Sequence, residues 1–203
     1  MREDEVSMFN GGSRNLQDRY DTRRIADRIE EKLVGDTIDS NDKAFIERLD
    51  MFFFATADAH GYPNCSYKGG DPGFVRVVDE HNIAFPNYDG NGMYLSMGNI
   101  RENPNVGMLF IAFDTGHRLR LNGEASIDES DQLLEHYPEA QFVVRVRARE
   151  VFPNCPRYIH HYELVERSRF VPQRGASTPV PDWKRAEWAF DALPEHDPAR
   201  SLD

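Results

Sequence analysis

Cysteine is scarce: Cys65 and Cys155 are the only two in the chain, and neither belongs to a Cys-x-x-Cys pair. This excludes the multi-bridge framework of a small secreted domain and makes a reducing, cytoplasmic setting the expectation. Basic charge is also short. Lysine and arginine number 24 against 35 aspartates and glutamates, a formal net charge of -11. Nucleic acid and anionic membrane both need a basic footprint, so neither is expected as a partner, and any anionic ligand must be held locally. Long apolar runs are missing too. The start, Met1 to Glu5, has no stretch suited to a signal peptide, and no run elsewhere is long enough to span a bilayer. His160 and His161 are adjacent and project in different directions on a helix or strand, so no metal site is expected.

What is present suits one domain with extended ends. The 203 residues fall in the size range of a single domain. Residues 1–39 read as an N-terminal extension with an amphipathic helix, in which Ile25, Ile29 and Leu33 recur every fourth position before Gly35. Residues 172–203 read as a proline-rich and charged C-terminal extension, whose Trp183 and Trp188 suit plain packing or docking on a barrel or a partner subunit. Between them, residues 40–171 hold the core. A helix capped by Ser40 leads into the buried strand 51–57. Further strands are expected over 62–68, 74–78, 82–85, 106–113, 118–127 and 141–151, with helices over 94–102 and 129–137. Short, closely spaced antiparallel strands favour a closed or nearly closed barrel, because closure removes edges that invite aggregation. The fold class is mainly β with peripheral helices.

Three segments concentrate polar groups. In Asn64-Cys65-Ser66-Tyr67-Lys68-Gly69-Gly70, a lysine beside two glycines and a hydroxyl suits either a phosphate contact or a solvated strand end. The stretch 85–93 includes Asn87, Gly90, Asn91, Gly92 and Met93 and precedes a helix, so it is an anion-binding loop or an ordinary asparagine-glycine turn. In the strand from Arg118 to Asn122, period two puts Arg118 and Arg120 on one face and Leu119 and Leu121 on the other. Those arginines either pair with acids on a neighbouring strand or grip a phosphate. No nucleophile and base stand together, and Cys155, without a partner, reads as a small buried apolar group.

The order of residues 55–63, 85–93, 103–110 and 118–124 resembles the pyridoxamine 5'-phosphate oxidase-like family over about residues 45–127, and the stretch 151–159 is similar to a flavin-nucleotide-binding subset with a Pro-Asn-Cys-Pro segment. The resemblance implies a six-stranded antiparallel split β-barrel that forms a homodimer, with FMN in two symmetric clefts lined by both subunits. It implies that Asn64, Cys65, Ser66, Tyr67 and Lys68 meet the isoalloxazine ring and ribityl chain, that Asn87 and Gly90 to Met93 meet the phosphate, and that Arg118 reaches the flavin. Where the oxidase carries Ser-Arg-Lys, this chain has Asn91-Gly92-Met93, so the cations expected to serve the phosphate are Lys68, Arg118 and Arg120. The oxidase's C-terminal arginine and histidine pattern is absent, so vitamin B6 synthesis is not assigned. The implied function is a flavin-dependent oxidoreductase acting on a small molecule, with a non-catalytic flavin carrier, or a barrel taking a deazaflavin or haem, as rivals.

Overall fold

A computed structural model of the chain describes residues 7–201, so the Met1 to Glu5 start lies outside the described residues. Two helices, α1 (Gly11–Arg19) and α2 (Arg23–Leu33), precede α3 (Ser40–Arg48). The extension expected over 1–39 with one amphipathic helix therefore holds two, α1 being the addition. Asn10 caps it by accepting from the Ser13 backbone. The cap of α3 is Asp39 rather than Ser40: its carboxylate accepts from the Asn41 and Asp42 amides, and Asp42 returns a bond to the Asp39 backbone, a capping box.

The chain then builds one seven-stranded antiparallel sheet from β1 (Met51–Ala57), β2 (Pro63–Gly69), β3 (Arg76–Val77), β4 (Asn82–Asn87), β5 (Asn105–Ile111), β6 (Arg118–Asp128) and β7 (Phe142–Asn154), with α4 (Leu95–Glu102) between β4 and β5. The strand order is β2-β1-β5-β6-β7-β4-β3. Three strands separate β1 from β4, yet the Phe52 and Phe85 rings meet edge to face at 5.0 Å, and Phe54 and Phe85 at 5.3 Å. Only a sheet curled on itself brings those rings together, and the result is a split barrel.

The residue pattern predicts seven strands and the resemblance implies six; seven are present, with β3 shortened from the expected 74–78 to two residues. Its outer edge is covered by α3. Glu47 accepts from the Val77 amide at 2.9 Å, and Lys43 donates to the Val77 carbonyl at 2.9 Å, so helix side chains take the edge groups that a further strand would use. The helix expected over 129–137 is instead a single 3-10 turn, Gln132–His136, capped by Asp131. The Asp131 carboxylate is buried and grips Arg145 of β7.

Phe52, Phe54, Phe85 and Phe110 are fully buried with Ile46, Ile83, Leu121 and Val144 inside the curl. Each such side chain contributes roughly 1.5–3 kcal/mol on burial, and the edge-to-face rings add about 0.5–1.5 kcal/mol per pair. The β6–β7 ladder carries a register shift between Asn122 and Gly123. There a Cβ on Gly123 would stand 2.0 Å from the Arg147 carbonyl oxygen, so only glycine allows the close approach. The apolar stripe of α2 is different: Ile25, Ile29 and Leu33 are all exposed.

Candidate cofactor cleft

Pairing of β1 with β2 sets Phe54 opposite Ser66 and Thr56 opposite Asn64. Alternation then turns Asn64, Ser66 and Lys68 to one side of β2, toward α4. The buried Ser96 hydroxyl in the first turn of α4 confirms that direction: it lies 3.1 Å from the Ser66 hydroxyl and donates to Asn64 Oδ1 at 3.1 Å. One turn later Asn99 donates to the Thr56 hydroxyl at 3.0 Å, so α4 is pinned across β1 and β2 by neutral polar bonds.

Between β2 and α4 lies a cleft of about 360 Å³. Its third wall is the loop from β4 to α4. Asn87 holds the start of that loop by donating to Gln141 Oε1 at 2.9 Å, and the Tyr94 hydroxyl donates to the same oxygen at 3.0 Å. Within the loop Gly92 has φ 74°, a left-handed conformation that suits glycine, and Asn91 Oδ1 accepts from the Met93 amide. Tyr94 is also left-handed, φ 48°, and α4 begins without a side-chain cap. Its first-turn amides therefore keep donor capacity at this end of the cleft.

Among the described residues no carboxylate lines the cleft, while Lys68 does. The Lys68 ammonium is half-buried and has neither an ion pair nor a hydrogen bond among the described residues. Burial pushes its pKa down from the ordinary lysine value. Tyr88, also on the wall, is pushed up to about 12 by burial and, secondarily, by the Asp71 charge, so its phenol stays protonated. The cleft thus combines one unsatisfied cation with neutral donors from Asn64, Ser66, Asn91 and Tyr88, which fits an anionic ligand.

Of the residues singled out from the sequence, Asn64, Cys65, Ser66, Lys68, Asn87, Gly90, Asn91, Gly92 and Met93 all line this cleft. Tyr67, Arg118 and Arg120 do not. Tyr67 falls on the opposite side of β2, against Phe53 with ring centroids 6.3 Å apart. Arg118 and Arg120 sit on β6, three places from β2 in the sheet, and their polar face turns outward while Leu119 and Leu121 enter the core. Arg118 donates to the Cys155 carbonyl instead. Cys155 itself corrects a second expectation: it is exposed, and its thiol is pushed down chiefly by the Arg157 backbone amide. Tyr88, Tyr94 and Ser96 line the cleft and went unnoticed in the sequence. Ser96 had a readable signal, a hydroxyl in the first turn of a helix that follows a glycine-rich loop.

Residues 38–166 match the family model described as pyridoxamine 5'-phosphate oxidase. The chain belongs to that family. No curated protein matches it in sequence. Among solved structures, HupZ of Group A Streptococcus is 18% identical, with 57% of this chain and 93% of that chain covered and a TM-score of 0.46. HutZ, described as the heme storage protein of Vibrio cholerae, is 20% identical, with 57% and 93% covered and a TM-score of 0.42. An FMN-binding protein from Syntrophomonas wolfei is 12% identical, with 71% and 98% covered and a TM-score of 0.44. Membership of that family accords with the split barrel.

Proposed function

We propose that this member of the pyridoxamine 5'-phosphate oxidase family binds FMN in the β2–α4 cleft and works as a flavin-dependent oxidoreductase on a small molecule. The observation that carries the reading is Lys68. An unpaired, half-buried ammonium in an acid-free cleft is costly until an anion arrives, and a phosphate supplies that anion. The donors expected at the phosphate end are Lys68, Asn91 and the free amides at the start of α4, with Gly90 and Gly92 allowing close backbone approach. Asn64 and Ser66 are placed for the polar edge and chain of the ligand, and Tyr88, Met93 and Met97 offer apolar surface to a planar ring.

Bound FMN supplies the hydride or electron acceptance, which the protein supports by placement and electrostatics. The reading includes a homodimer. Its support is that Met93, Tyr94 and Leu95, at the open rim of the cleft, are exposed in the single chain, as is Tyr67 on the neighbouring edge strand. In such a dimer Arg118 and Arg120 would reach a cofactor only across the subunit boundary.

The test is the absorbance spectrum of the purified protein with and without FMN, followed by reduction and exposure to electron acceptors. A bound flavin spectrum with turnover is the expected result. Absence of a spectral shift at micromolar FMN overturns the cofactor assignment, and tight FMN without turnover of any acceptor replaces the oxidoreductase with a flavin carrier. A Soret band or a deazaflavin spectrum in the protein as isolated would assign the cleft to those ligands instead.

A further inference from the structure

After β7 the chain leaves the sheet and runs back along the side that holds the cleft loops. Three sets of contacts fasten it there. Arg167 and Gln173 both bond the Asp71 carboxylate, at 2.9 and 2.6 Å, in the connection between β2 and β3. Arg174 donates to the Glu135 carbonyl, and Glu139 accepts from the Thr178 amide. Finally the Lys184 ammonium bonds Asp89 at 2.6 Å and Asp197 at 2.7 Å. Asp71 follows Lys68 by three residues, and Asp89 stands between Tyr88 and Gly90 of the cleft wall. The segment therefore grips both loops that flank the candidate site.

Lys184 is the strongest of these ties. It is 3% exposed, in a 3-10 turn, and Asp197 is 6% exposed. Burial alone would pull the ammonium's pKa down, but the Asp197 and Asp89 carboxylates outweigh it and hold the group above the ordinary lysine value. The loop on the other side has little else to hold it. Among the described residues, the Asp89 carboxylate on Lys184 is the one hydrogen-bonded tie from residues 89–93 to another part of the chain, since Met93 bonds back only to Asn91. Two of those five residues are glycines, which have the most conformational freedom to lose.

We propose that residues 167–200 form a strap across the cleft loops, with Lys184 as a positioning residue that holds Gly90–Met93 in place for the phosphate end of the cofactor. The inference rests on the FMN reading above and adds the device that orders its phosphate loop. A loop fixed beforehand spares the ligand the entropy of ordering it, so cutting the tie weakens FMN through the loop alone. Simple electrostatics makes the opposite forecast, because removing the Asp89 carboxylate takes a negative charge away from an anionic ligand.

Asp89→Ala separates the two. It cuts the tie to the loop while leaving the buried Lys184–Asp197 pair intact, so the strap itself keeps its fold. Titration of the full-length apoprotein with FMN and with riboflavin, which lacks the phosphate, reads the effect by flavin fluorescence. The expected result is FMN binding weakened about tenfold with riboflavin binding unchanged, and Lys184→Met behaving likewise. FMN binding equal to or tighter than in the unaltered chain overturns the strap, as does an equal loss for both flavins. If the unaltered chain takes up neither flavin, the FMN reading fails on its own account. Hydrogen exchange of the apoprotein then decides the strap: faster exchange at residues 89–93 in Asp89→Ala upholds it, and unchanged exchange overturns it.

Discussion

Lys68→Met is expected to make the protein more stable and a poorer cofactor binder at once. Methionine keeps the long apolar stem that packs along β2 and removes only the ammonium, which has no partner among the described residues. In the folded apoprotein that ammonium is penalised by burial, as its lowered pKa records. Because the folded value lies below the unfolded one, the cost is fully present below the lowered value and is relieved as pH rises through it toward that of an ordinary lysine. Relief of such a strained functional group is commonly worth about 1 kcal/mol, or roughly 3 °C in Tm for a chain of this size. The gap between variant and parent should close on the alkaline side. Against this, a hydrogen bond from a charged donor to a ligand anion is worth about 1.5–3 kcal/mol, so FMN affinity should fall between about tenfold and a hundredfold. Thermal scans of the apoprotein from pH 7 to 10, with an FMN titration at pH 7, measure both. A variant that is less stable than its parent, or that holds FMN as tightly, refutes the view of Lys68 as a cation waiting for an anion.

Two further outcomes test the barrel that carries the cleft. Gly123→Ala puts a Cβ 2.0 Å from the Arg147 carbonyl oxygen at the register shift between β6 and β7, so backbone must move and denaturant titration should show a loss of about 3 kcal/mol. Asp131→Asn breaks the grip on Arg145, and a loss of about 2 kcal/mol at pH 7 is expected, moderated by the partial exposure of the arginine. The Arg145 guanidinium holds the Asp131 carboxyl below its usual range, so the pair stabilises fully above about pH 4 and fades as pH falls through the depressed value. The difference between variant and parent should shrink as pH falls below about 4, the unfolded carboxyl value, as followed by far-ultraviolet circular dichroism.

Legibility varied from place to place along the chain for physical reasons. The run 51–57, the alternation through Leu119 and Leu121, and the glycine-rich loop before α4 carry their structure in local pattern, because period and turn chemistry act over a few residues. So strands, helix α4 and most of the cleft wall were readable, Asn64 to Lys68 on one side and Asn87 to Met93 on the other. The position of Arg118 and Arg120 was not. Alternation says that two residues share a face, but whether that face meets a cleft depends on which strands pair, and β6 lies between β5 and β7, three places from β2. The covering of the β3 edge was equally hidden, since it depends on Glu47 and Lys43 arriving from α3, some thirty residues earlier in the chain.

The sequence by itself determined most strands and α4, the glycine positions of the loop, the family resemblance, and Lys68, Arg118 and Arg120 as candidate cations for a loop that lacks its own. The tertiary structure decided which of these meet. Curling the sheet brought Phe52 and Phe54 of β1 onto Phe85 of β4 and opened the cleft under α4. It alone set Lys184 against Asp89, a contact across 95 residues, because pairing of buried charges depends on how the chain returns through space and leaves no periodic trace in sequence.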